Sequence, residues 1–292
     1  MLRTKFRRIA TGLTLAATLF IAAGCSNDNI VIPDTETGAA GAPQLPAMST
    51  MRLDLDFFGV ETPVADQVSL DKGTPSQPML AEGGGDHENW INAFVRAIFI
   101  QLTVLDHLEE PIGAFAYAVH SVPQEVEPGV YLWTYIFVDG PIEYSVFLYG
   151  TPVAAQVQWR MEVSSNNPEQ ILDHFVWFDG RTNNDESGGY WQFYEPTDES
   201  NGIASVRIDW SNGPLQNQLI IAVNGIGHED EGDTVTFTET PTSGAIDFYD
   251  AGLAEQSNIS WRADGTGSIT VPDYNDGNIA CWDQEQRNTV CP

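Results

Sequence analysis

The chain has 292 residues, enough for one large β domain or two small ones, and a globular composition with 42% hydrophobic and 11% aromatic residues. The formal net charge is −29; four basic residues and no acids lie before Cys25, so from Cys25 onward 8 basic residues face 41 acidic ones, a net −33. Such a surface repels a phosphate backbone and excludes a nucleic-acid-binding role. It suits salty surroundings, where ions screen self-repulsion, or, in a sharper reading, divalent-cation binding.

Residues 1–24 open with Arg3, Lys5, Arg7 and Arg8 and continue into an apolar run from Ile9 to Ala23. This is the pattern of a secretory signal peptide, and the run is short for a membrane span. It ends Ile21-Ala22-Ala23-Gly24-Cys25, which resembles the lipobox of bacterial lipoproteins. That resemblance implies cleavage before Cys25, acylation of its thiol and a membrane partner reached through the lipid. Ser26 is compatible with outer-membrane sorting under the enterobacterial rule. Residues 25–49 are rich in Pro, Gly, Ala, Thr and acids without sustained periodicity, and read as a flexible lipidated tether. A single β-rich domain is expected over 50–292.

Met51–Gly59 alternates apolar and polar residues and predicts a first strand. Asp86–Leu108 is the strong helical signal after the leader. Trp90, Ile91, Phe94, Val95, Ile98, Phe99, Leu102 and Leu105 recur on one broad face, Asp86 is a candidate N-cap, and Pro111 with Gly113 stops the pattern. Its expected contacts, with either core or ligand, are Trp90, Phe94, Ile98 and Phe99. Ile112–Val119 fits either a strand or a short helix.

From Tyr131 the chain reads as hairpins. YLWTYIFV and IEYSVFLY flank Asp139-Gly140, a pair that supplies the positive φ a tight turn needs. Further short strands follow near 154–163, 172–179, 188–195, 203–210, 216–223, 234–240, 244–250, 256–262 and 266–272. About a dozen strands at such spacing predict a mainly β fold, an antiparallel meander forming a curved sheet or barrel with one packed helix. Both faces carry rings: Trp133, Tyr135 and Phe137 share one face, while Tyr190, Gln192 and Tyr194 oppose Trp191 and Phe193. One such face packs a core and the other meets a second layer or a ligand. A curved sheet around a helix resembles the lipid carriers of the periplasmic lipoprotein-transport (Lol) system, which use an incomplete barrel with helices over its mouth.

Cys281 and Cys291, ten apart in an exported chain, predict a disulfide closing the C-terminal tail. The five histidines match no zinc spacing, and no Walker loop, dinucleotide fingerprint or nucleophile elbow is present. The acidic run 227–233 offers Glu229, Asp230, Glu231 and Asp233 as oxygen ligands for Ca²⁺, with solvated acidic turns as the plainer reading. No other cofactor is indicated. The functional expectation is a lipid-anchored envelope protein, non-catalytic, that binds or carries a hydrophobic or glycan ligand or serves structurally. The alternative is a glycan-active hydrolase with an acidic pair in an aromatic cleft.

Overall fold

The computed structural model describes residues 30–31, 39–59, 85–105, 108–118, 120–139, 141–168, 171–196, 202–225 and 230–292. The signal peptide, Cys25 and Glu229 lie outside the described residues.

Alternating side chains from residue 124 onward build fourteen strands of one antiparallel sheet, which Ile30–Val31 joins as a fifteenth among the described residues. In chain order these are β1 (Ile30–Val31), β2 (Gln124–Glu127), β3 (Val130–Asp139), β4 (Ile142–Val153) and β5 (Gln156–Ser165). Next come β6 (Leu172–Asn183), β7 (Gly188–Glu195), β8 (Ile203–Asn212), β9 (Asn217–Val223) and β10 (Thr234–Thr240). The series closes with β11 (Ser243–Asp250), β12 (Glu255–Arg262), β13 (Gly267–Thr270), β14 (Ala280–Trp282) and β15 (Asn288–Thr289). From β3 to β15 every strand pairs with its successor, and β1 and β2 share the outer edge of β3. The sheet does not close on itself, so the curved-sheet form of the expectation holds and the closed barrel does not. The expected hairpin of β3 and β4 is present, with Tyr131 opposite Gly150, but Asp139 pairs with Ile142 as the last residue of β3 and is not part of the turn.

Among the described residues two α-helices accompany the sheet, not one. The first, α1, spans Glu88–Leu105 and rests on β13, β14 and β15; the second, α2, spans Glu109–Ala118 and rests on β3 and β4. The ambiguous stretch near Ile112 is therefore helical. Pro111 lies in the first turn of α2, where its missing N–H costs no helical hydrogen bond. One side of the sheet supplies Trp133, Tyr135, Leu148, Trp159, Met161, Phe178, Trp191, Phe193, Ile208, Ile221, Ile246 and Ile259, all buried. Phe115 of α2 meets Phe178 and Trp191 there, each at 6.0 Å between ring centroids. Tyr135 donates its hydroxyl to the Ala114 carbonyl of the same helix.

Three expectations are corrected. Met51–Gly59 is not a strand: short 3-10 turns at Met48–Thr50 and Asp56–Phe58 flank an irregular stretch. The alternation has another cause, because this segment threads between the sheet and the helices. Met51, Leu53 and Leu55 are buried there, and Phe57 stacks on Trp261 at 5.2 Å. Nor does the tether reach residue 49. Ile30 and Val31 pair with β3, and Ala39, Ala42, Leu45 and Met48 pack against the core. Finally, Asp86 is not the cap of α1. The helix starts at Glu88, and the Asn288 side-chain oxygen accepts the Asn89 backbone N–H at 2.9 Å, so the cap comes from β15.

Candidate functional site

Strands β4 to β8 carry a dense polar and aromatic surface on the face turned away from the core. Register fixes it. Tyr149, Arg160, Asp179, Gln192 and Arg207 stand directly across from one another on five successive strands. Beside them runs a second row of Gln158, Arg181, Tyr190 and Asp209. Because a strand alternates faces, the same strands turn Trp159, Phe178, Trp191, Phe193 and Ile208 inward. Three of the eight basic residues that follow Cys25 thus stand on this one face.

These side chains hold one another in place. Arg207 forks onto Asp209 with contacts of 2.7 and 3.0 Å, and its guanidinium lies 3.7 Å from the centre of the Tyr190 ring. The hydrogen bond to Asp209 leads in raising the Arg207 pKa. The Tyr194 hydroxyl donates to Asp179 at 2.8 Å. Burial first, then the Asp179 bond and charge, pushes the Tyr194 phenol up to about 12. Glu162 accepts from Arg160 at 2.8 Å and lies 3.0 Å from His174 Nδ1, while the imidazole stacks on Phe147 at 4.9 Å. His174 has a φ of 49°, at an irregularity where β6 shifts register against β5. Its backbone N–H donates to Ser164 Oγ at 3.0 Å.

At the rim of the same strands this surface borders a cleft of about 180 Å³. Glu110 from the first turn of α2, Tyr144 from β4, Asn167 from the β5–β6 connection, Trp177 from β6, and Tyr194 and Glu195 from β7 line it. Trp177 is the extra residue of a bulge: Met161 faces Phe178 while Glu162 faces Val176, which leaves Trp177 unmatched on β6. The cleft brings two carboxylates and three aromatic rings to one opening. Rings offer a flat apolar surface to the C–H face of a sugar, and carboxylates and amides bond its hydroxyls.

The residues singled out from the sequence are not at this site. Trp90 is buried and stacks on Phe94 at 5.3 Å with planes 4° apart. Phe94, Ile98 and Phe99 are half-buried. The closest-packed stripe of α1 is Trp90, Ala93, Ala97 and Ile100, because small alanines let the helix approach the sheet. Cys281 and Cys291 form the expected disulfide. Asp233 is buried and accepts the Ala251 backbone N–H at 2.8 Å, a structural use of its carboxylate. Among the described residues, no group of three or more His, Cys, Asp or Glu side chains is placed to hold a metal ion. Sequence reasoning passed over Glu110 and Glu195 as site residues. The available signal was the row of Tyr190, Gln192 and Tyr194 opposite a buried Trp191.

No family model, no curated protein and no solved structure matches this chain.

Proposed function

We propose that this protein is a lipid-anchored component of the cell envelope that binds a neutral glycan without cleaving it, on the outer face and rim cleft of β4–β8. The observation that carries the reading is the pair of rows that sets Tyr149 and Tyr190 among fixed hydrogen-bonding groups, with Tyr194 bonded to Asp179 beside them. Arg160 and Arg207 are each paired with an acid, so the face presents oriented donors and acceptors more than net charge. A surface with rings and planar polar groups held in place binds with little loss of side-chain entropy. A hydrophobic carrier reading has less support, since the concave side holds α2, the 39–59 segment and their aromatic contacts. The anchor rests on the leader sequence and Cys25, and outer-membrane placement on Ser26.

The test is binding of soluble protein, from residue 26 onward, to a panel of neutral polysaccharides. Tyr190→Ala and Tyr194→Ala should each weaken retention at least tenfold while circular dichroism stays unchanged. Undiminished binding in both variants would sink the reading.

One observation favours the hydrolase as a second reading: Glu110 and Glu195 line the same aromatic cleft. Retaining and inverting enzymes both need two carboxyl groups flanking the bond. Release of reducing ends that stops in Glu195→Gln, with binding kept, would establish it over simple binding.

A further inference from the structure

The opposite rim of β4–β8 carries a different cavity, of about 290 Å³. Its walls include Pro43 and Pro46 of the segment entering the domain, Asn184 and Glu186 of the β6–β7 turn, and Trp210 and Asn212 at the end of β8. We propose that this cavity is a separate binding site for a small polyhydroxylated molecule, a single sugar unit or a polyol.

Trp159 donates to Thr182 Oγ1 at 2.9 Å, Trp191 to Thr50 Oγ1 at 3.2 Å, and Trp282 to the Gly265 carbonyl at 3.0 Å. Thr50 and Thr182 themselves lie in the cavity wall. Trp210 differs. It is 6% exposed, it lines the cavity, and its buried Nε1 has no hydrogen-bond acceptor in the protein. A buried donor left unmatched costs free energy, and an acceptor arriving with a ligand recovers it.

The remaining polar groups have the opposite character. Asn212 Nδ2 donates to the Glu186 carbonyl at 3.3 Å, and Asn184 Nδ2 to the Ala154 carbonyl at 3.2 Å. A carbonyl can only accept, so the amide nitrogens are fixed there and each Oδ1 remains an acceptor. Glu186 adds a carboxylate from a turn residue held at φ 57°, with its N–H on the Asn183 carbonyl. The cavity therefore places one unmatched indole donor beside several solvent-facing acceptors. An anion would meet Glu186 and the amide oxygens. A bare cation would leave the indole N–H unmatched. A hydroxyl both donates and accepts, and a ring of hydroxyls on a carbon frame also offers C–H faces to Pro43, Pro46 and Val157. The site lies at the far rim from the cleft of Glu110 and Glu195, so it stands whether or not the glycan reading does.

The experiment labels the indole nitrogens of the full soluble domain, whose eight tryptophans give eight N–H resonances. The probes are glucose, galactose, N-acetylglucosamine, sorbitol and inositol. One resonance, identified by its loss in Trp210→Phe, should move saturably with at least one probe. Glu186→Ala, at an exposed turn position, should weaken that binding at least tenfold with the other resonances in place. Tyr194→Ala should leave it unchanged, which separates this site from the cleft. The proposal is overturned if no probe moves the Trp210 resonance, or if Glu186→Ala binds as wild type does.

Discussion

Gly180 shows how tightly single positions are set. A Cβ there would lie 2.3 Å from the Tyr190 carbonyl oxygen and 2.5 Å from the Trp191 ring, so the glycine makes room for an inward indole on the next strand. Gly180→Ala should destabilise by about 1–3 kcal/mol, the range for overpacking a filled core, read as a lower urea midpoint at unchanged slope. Tyr194 gives a pH prediction. Its folded-state pKa of about 12 exceeds its ordinary value of 10.0, so the folded state holds the phenolic proton more tightly. The associated stability is complete below pH 10 and is lost as pH rises from 10 through 12. The ring is half-buried and solvent screens it, so the slope is shallow. Stability of wild type minus that of Tyr194→Phe should fall across that window and stay flat below it; a flat difference throughout would refute the assignment.

The element that depends most on a distant part of the chain is α1. Its first turn is bound by the C-terminal hairpin: Asn288 caps Asn89, the Asn89 side chain donates to the Cys281 carbonyl at 2.7 Å, and His87 Nδ1 lies 3.0 Å from the Gln286 carbonyl. Farther along, Arg96 reaches Asp273 at 2.9 Å and Tyr274 donates to Asn89 at 2.6 Å. Asn288→Ala should cost about 1 kcal/mol, the usual value of a lost cap. Reducing the Cys281–Cys291 bridge should cost at most about 3 kcal/mol, since its loop is short. It should also speed hydrogen exchange in residues 88–93 while leaving β4–β8 protected. Exchange that changes equally everywhere would mean the bridge stabilises the molecule without holding the helix. Phe94→Ala should cost less than the ~3–5 kcal/mol of a fully buried aromatic, because the ring is only half-buried on Trp90.

For the molecule as a whole, packing and charge pull in opposite directions. The core runs continuously from the 39–59 segment through both helices to the last strands, while the chain after Cys25 carries a net −33. Self-repulsion destabilises the compact form and salt screens it, so the melting temperature should rise between 10 and 300 mM NaCl, by the screening lengths of about 30 Å and under 10 Å at those strengths. With its concave side packed, the domain should show no ligand-dependent rise in stability with a fatty acid; a rise would restore the carrier reading. In cells, Cys25→Ala should release the protein from the membrane fraction, and a variant that stays there would place the anchor elsewhere.

Local pattern carries local structure, so much of this protein could be read without coordinates. Period-two alternation with Gly, Asn and Asp at the turns determined the meander and nearly every strand, since each hairpin is decided by neighbours in sequence. The same holds for α1, with its 3.6-residue periodicity, and for a disulfide only ten residues apart. What alternation could not reveal was partner and depth. Met51, Leu53 and Leu55 alternate like a strand, yet they are buried in a segment without strand pairing, because burial on one side imposes the same pattern with or without a sheet edge. The cap of α1 came from Asn288, 199 residues away, and no local signal can announce such a donor. The sites were hidden for the same reason. Glu110 and Glu195, or Asn184 and Trp210, come together only when the strands are laid side by side, and register, not sequence proximity, decides which side chains share a face.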